Sequence, residues 1–270
     1  MTAGAGGSRL DWRGWLLLGS FVACAVAAVV VPAMPQPLSY HAFADCRSFG
    51  SIPNFLNVIS NLPFLVGGAL GIALVLRGGG DFADPRECLP YLVFFVGALL
   101  TSLGSAWYHL APDNPRLVWD RLPMTLGFAG LVSAAIAERA DARLGRRMLW
   151  PLLAVGAFTV FYWYATERLG RGNVIPYGLY QGWSVLAIVL LLVLYHARRY
   201  THGQALAWAA VWYALAKIFE TYDLAVFRLS GGWMSGHTIK HVLAAGAVFA
   251  ILQGVRLRRR LPDPTLAPFT

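Results

Sequence analysis

The sequence predicts an all-α polytopic membrane protein with eight spanning helices, and three observations carry that reading. Of the 270 residues, 57% are hydrophobic and only 13% are charged, against about 25% charged in an average soluble domain. With half the usual surface charge missing, lipid rather than water must contact most of the exterior. Apolar stretches close to the ~20 residues a helix needs to cross a bilayer recur along the chain. Lys and Arg are divided unevenly between the two sets of connections, as the positive-inside rule requires.

The apolar runs lie at 12–32, 54–76, 89–110, 118–137, 148–165, 174–196, 204–225 and 236–256. The first, Trp15 to Pro32 with a weakly basic start, exceeds the ~7–15-residue core of a signal peptide and reads as a helix. The fifth is the shortest. Connections are brief and rich in Pro, Gly and charge, as at Arg77-Gly-Gly-Gly-Asp81 and Ala111-Pro-Asp-Asn-Pro115. No soluble domain fits between runs, and no internal repeat is visible. The tail from Leu261, with its three prolines, is expected to be disordered.

A net charge of +9 raises nucleic acid as a partner, but no Lys/Arg-rich domain exists outside the apolar runs. Fourteen of the 22 Lys and Arg, from Arg9 to Arg260 and including Arg198, fall on one side and five on the other. Arg121, Lys217 and Lys240 lie within runs. Both termini are therefore expected in the cytoplasm, which an even number of spans requires. Three cysteines are too few for a disulfide framework; Cys24 sits in an apolar run and Cys46 and Cys88 in connections on opposite sides, so no disulfide is predicted.

Ionisable residues inside a span are costly and usually face the bundle interior. Asn57, Ser60 and Asn61 in the second run share one helix face at i, i+3 and i+4; interhelical hydrogen bonding is their plain alternative role. The third run ends in Gly104-Ser-Ala-Trp-Tyr-His109, which puts Ser105 and His109 on one face. The fourth opens with Trp119-Asp-Arg-Leu-Pro-Met124, and the eighth with Gly236-His-Thr-Ile-Lys-His241. His237 and His241, four apart, can address one metal. In the derived topology His109, Asp120 and the last His pair all lie near the outer face, which the charge count did not require.

Three imidazoles leaving a fourth position for water describe a catalytic rather than a structural zinc site. Asp120 can then accept the water's proton, and Ser105 can hydrogen-bond the water or a developing oxyanion. Haem ligation would need paired histidines on opposed helices, which the pattern lacks. His41, His196 and His202 fall in loops or at helix ends and are expected to be solvated. In the seventh run Lys217 and Glu220 can neutralise each other. Asp223 reads either as an interfacial carboxylate or as a group orienting a ligand imidazole. Lys240 faces away from the two histidines, to snorkel or to meet a carboxylate.

At these residues the sequence resembles the alkaline ceramidase family, of the superfamily that also holds the progestin and adiponectin receptors. The patches are Asn57-Val-Ile-Ser-Asn61, Gly104 to His109 with Asp120, Lys217 to Asp223, and Gly236 to His241. The resemblance implies a seven-helix hydrolase core at 45–256, preceded by a segment 1–44 with an extra transmembrane helix and followed by a cytoplasmic tail, 257–270. It implies zinc on His109, His237 and His241, Asp120 and Ser105 as catalytic residues, and hydrolysis of a ceramide-like lipid amide to a sphingoid base and a fatty acid. Asn57, Ser60, Asn61, Lys217, Glu220 and Asp223 would support the site. The family's calcium site would fall on Asp45-Cys-Arg-Ser-Phe-Gly-Ser-Ile-Pro-Asn54, where Asp45 is the one carboxylate left. Calcium takes six to eight oxygens, so a tight site is not expected. Cys46 resembles a disulfide-forming cysteine of the family, without its expected partner.

Two competing readings keep the metal: an ester-cleaving lipase of the same superfamily, or a receptor-like lipid-binding protein with structural zinc. Transport is disfavoured, for lack of repeats or paired broken helices. The Ala/Arg/Gly-rich composition and short loops lean to a bacterial inner membrane.

Overall fold

The computed structural model describes residues 11–196 and 199–261. Arg9 and Arg198, which entered the charge count, and the Pro-rich tail lie outside the described residues. The described chain is helical, without a β-strand, in the order α1 (Trp12–Val30), α2 (Phe55–Ile59), α3 (Leu62–Leu76), α4 (Cys88–Leu110), α5 (Asn114–Arg139), α6 (Ala142–Arg168), α7 (Ile175–Leu194), α8 (Ala205–Thr221), α9 (Asp223–Leu229) and α10 (Gly236–Leu257). Among the described residues, six segments are long and apolar enough to cross a membrane: α1, α2 with α3, α4, α6, α7 and α10. The remaining two expected spans are also helices. The fourth, α5, is 26 residues long but carries several charges, and α8 has 17 residues.

The helices depart from the expected spans in three places, two of them with a local cause. The second run is not one helix: α2 stops at Ile59 and α3 starts at Leu62. Pro63 has no N–H to give the Ile59 carbonyl, and it disfavours helical geometry at the residue before it. The seventh run likewise breaks at Tyr222, and Asp223 opens the short α9. The fifth, expected to be shortest, is the longest at 27 residues. Its basic start read as a connection, but Asp141 caps the helix by accepting from the Leu144 N–H, and Arg143, Arg146 and Arg147 form its first turns.

From α3 to α6 each helix packs on the next, α7 lies against α5, α6 and α8, and α10 closes the ring between α8 and α3. Phe95, Val132, Ala135, Leu191 and Ile251 fill the centre. Helix α1 stands outside the ring with no buried residue, held on α7 by an edge contact of Phe21 with Trp183 at 5.0 Å and by Trp183 Nε1 donating to Ser20 Oγ at 3.1 Å. The 31–54 strap between α1 and α2 crosses the end of the bundle where α4 finishes and α5 and α10 begin. His41 belongs to this strap and is not simply solvated as expected. Its ring nitrogens bond Tyr108 Oη at 2.9 Å and Asn114 Oδ1 at 3.0 Å, because the strap folds back on α4 and α5. His196 and His202 are exposed.

Candidate metal centre

Close backbone approach puts the polar side chains together. A Cβ on Gly104 would come within 1.8 Å of the Trp119 carbonyl oxygen, so only glycine lets α4 lie this near α5. That carbonyl is free to face Gly104 because Pro123, four residues on, cannot donate to it. The contact seats Asp120 beside Ser105. Gly236 does the same for α10: its Cβ would meet the Phe219 carbonyl at 2.2 Å and Asp223 Cα at 2.8 Å.

His109, His237 and His241 are each at most 5% exposed. Their ring centroids form a near-equilateral triangle with sides of 4.9, 5.0 and 4.9 Å. One nitrogen from each lies within 4.8 Å of the others, the one His/Cys/Asp/Glu group suited to a metal among the described residues. The Nε2 atoms of His109 and His237 are 3.3 Å apart. Two nitrogens bound to tetrahedral zinc at ~2.0–2.1 Å stand about 3.3 Å apart, so the donor set fits such an ion.

The surrounding polar residues divide by what they touch. Ser60 hydrogen-bonds His241 Nδ1 at 2.7 Å, fixing that ring with its other nitrogen toward the triad. Asn57 is fully buried; its Oδ1 accepts from Thr238 Oγ1 at 2.9 Å and its Nδ2 donates to the Asp45 carbonyl at 3.0 Å. Asn61 Nδ2 donates to the Asn57 carbonyl, and its own carbonyl accepts from Ser102 Oγ, both at 2.8 Å. Asp223 bonds no imidazole. Its Oδ1 accepts from the His237 backbone N–H at 2.7 Å and its Oδ2 from the Ala44 N–H at 2.9 Å, tying the start of α10 to the strap. Glu220 pairs with Lys217 and, at 3.0 Å, with Lys240, so Lys240 meets a carboxylate. Lys217 is half exposed.

At Asp45, the one acidic residue of the expected calcium stretch, an arginine takes up the side chain. The carboxylate is buried and gripped through both oxygens by Arg47 at 2.8 Å, and the guanidinium holds it below the ordinary carboxylate range. No other carboxylate joins it in a metal-holding group among the described residues. Cys24, Cys46 and Cys88 are free thiols.

Several contributors escaped the sequence. Phe43 of the strap lies over the triad, its ring 4.7 Å from that of His109 and 4.5 Å from that of His237. Asn54 takes a left-handed backbone, φ 48°, a conformation asparagine tolerates, and donates from Nδ2 to the His109 carbonyl at 2.8 Å. Phe43 lies in no periodic segment and Asn54 only opens the second run, so no pattern marks their contacts. Arg121 was visible as an intramembrane charge, but not its surroundings: it is buried against the rings of Trp163 at 4.2 Å and Tyr177 at 4.8 Å and donates to Gln36 Oε1 at 2.6 Å.

A polytopic helical bundle with a buried triad of imidazoles at one end defines a membrane-embedded protein with a candidate metal centre. The ceramidase family model matches residues 49–259, and the chain belongs to the ceramidase family. Membership implies a hydrolase that acts on the amide bond of a lipid such as ceramide. The match begins beyond α1, within the strap. Comparison with the curated proteins finds no match.

Proposed function

We propose that the chain is a zinc-dependent intramembrane hydrolase. It cleaves a ceramide-like N-acyl lipid to a sphingoid, or other amino, base and a fatty acid. The observation that carries the reading is the mutual approach of one nitrogen from each of His109, His237 and His241 within 4.8 Å, buried at one end of the bundle. When bound there, zinc supplies Lewis acidity and a water acidic enough to ionise near neutral pH.

The chain's own residues do the rest. Asp120 takes a proton from the attacking water, whose oxygen bonds to the acyl carbon. As the carbon–nitrogen bond breaks, Asp120 returns the proton to the departing amine. Ser105 donates its one hydroxyl proton to Asp120 while that carboxylate is ionised, and to the charge growing on the carbonyl oxygen once Asp120 has taken the water's proton. Ser60 fixes the His241 ring, and Asp223 sets the first turn of α10. An apolar cavity lined by Phe94, Thr101, Met124, Phe128 and Tyr213 lies in the bundle. Thr101 and Met124 each stand one helical turn from Ser105 and Asp120, so an acyl chain in this cavity would carry its amide to the triad. Both termini face the cytoplasm of a bacterial inner membrane, and the site opens toward the outer leaflet.

The test is zinc content and lipid turnover of the purified protein. Wild type is expected to hold one zinc per chain and to release fatty acid from an N-acyl sphingoid lipid. Asp120→Asn should keep the zinc and lose at least about a hundredfold in rate. Absence of stoichiometric zinc, or unchanged turnover by Asp120→Asn, would overturn the reading. A matched ester lipid hydrolysed in place of the amide would reassign the bond.

A further inference from the structure

At the opposite end of the bundle from the imidazoles, Arg86, Arg143, Arg146, Arg147 and Trp150 line a cavity of about 440 Å³. Its position follows from the helices: Arg86 precedes α4, whose far end carries His109, and the other four open α6. Asp84 is one acidic partner, bound by Arg86 and by Arg146 at 2.8 Å each. Arg143 and Arg147 are exposed and have no ion pair or hydrogen bond among the described residues. Glu87 also stands 3.9 Å from Arg146 and pairs with Arg199 at 2.6 Å, so Asp84 and Glu87 together hold Arg86, Arg146 and Arg199 as a floor, and Arg143 and Arg147 stand uncompensated above it. Setting topology requires only positive charge on this side. It does not require arginines gathered around a cavity.

The same helix face continues as an apolar lane. At 100° per residue, Arg143, Arg147, Trp150, Ala154, Phe158 and Phe161 fall within about 80° of one another. Trp150, Phe158 and Phe161 are 63%, 63% and 52% exposed. A free anion has no use for that lane, whereas a lipid does: its head would meet the guanidiniums, its glycerol level the indole, and its chains the phenylalanines. Trp is the residue that favours this depth in a bilayer, and the arginine fork matches phosphate oxygens in pairs.

We propose that this cavity is a binding site for the phosphodiester headgroup of an anionic phospholipid, in the leaflet opposite the metal centre. It requires only that the chain span the membrane, so it stands apart from the hydrolytic reading.

The experiment uses purified protein in nanodiscs of dioleoylphosphatidylcholine with increasing dioleoylphosphatidylglycerol, and counts retained lipid by native mass spectrometry. Wild type is expected to retain phosphatidylglycerol over phosphatidylcholine. The double variant Arg143→Gln/Arg147→Gln should bind it about tenfold or more weakly, at roughly a factor of five per surface arginine, and should melt like wild type in phosphatidylcholine alone. Arg168→Gln/Arg171→Gln removes the same charge at the other end of α6 and should leave the preference intact. The proposal is overturned if the first double variant keeps the preference or the second loses it equally. It is also overturned if inorganic phosphate displaces the retained lipid at equal concentration, which would make the site one for a free anion.

Discussion

The hydroxyl of Ser60 and the imidazole of His241 meet at 2.7 Å although 181 residues separate them. A ligand imidazole whose second nitrogen is held by a hydrogen bond keeps one tautomer and one orientation, and losing that partner typically costs about 10–100-fold in metal affinity. Ser60→Ala is therefore expected to weaken zinc binding by that factor in a chelator competition, without abolishing it. Unchanged affinity would show that packing alone orients the ring. The spacing of Asn57, Ser60 and Asn61 revealed a shared polar face but not its targets. Asn57 holds the Asp45 carbonyl and the Thr238 hydroxyl, Asn61 holds the Asn57 carbonyl, and Ser60 alone reaches a candidate ligand. Such a division depends on which residues the partner helix presents, and periodicity within one helix carries no record of that.

Among elements, the approach of α4 to α5 is what seats Asp120 by Ser105. Gly104→Ala would drive a methyl into the Trp119 carbonyl, and overpacking of this kind commonly costs ~1–3 kcal/mol. The expected outcome is a lower melting temperature together with a larger fall in turnover than in zinc content, because Asp120 moves away while the three imidazoles stay. Equal losses of both would place the effect in global folding. Helix α1 makes the opposite prediction. It buries no residue, so a protease site placed in the linker between Val31 and Gln36 and cut after folding should leave zinc and turnover in place. Loss of either on cleavage would make α1 part of the working core.

Over the whole molecule, exposed tryptophans gather at two levels. Trp107, Trp119 and Trp233 ring the end that holds the imidazoles, and Trp12, Trp15, Trp150 and Trp208 ring the other. Belts of this kind mark the two membrane–water interfaces and place the triad just inside one of them. In the proposed orientation, with both termini cytoplasmic, that interface is the outer one. Cys46 is exposed on that side, so a membrane-impermeant maleimide should label it in intact cells, and Cys46→Ser should abolish the labelling. Labelling only after the cells are opened would reverse the orientation.

What the sequence alone determined is what depends on composition and spacing: a membrane-embedded helical chain, where its helices lie, and a His/Ser/Asp set drawn to one depth. Burying apolar surface and satisfying backbone polar groups in lipid are demands each segment meets by itself, so a single segment records them. The tertiary structure decided which glycine permits which contact, and that Phe43 covers the triad. It also decided that Arg47 occupies the carboxylate of Asp45 and that arginines converge around a cavity at the far end. Each of these is a meeting of atoms distant in the chain. Packing selects such meetings from many placements that one hydrophobic pattern allows.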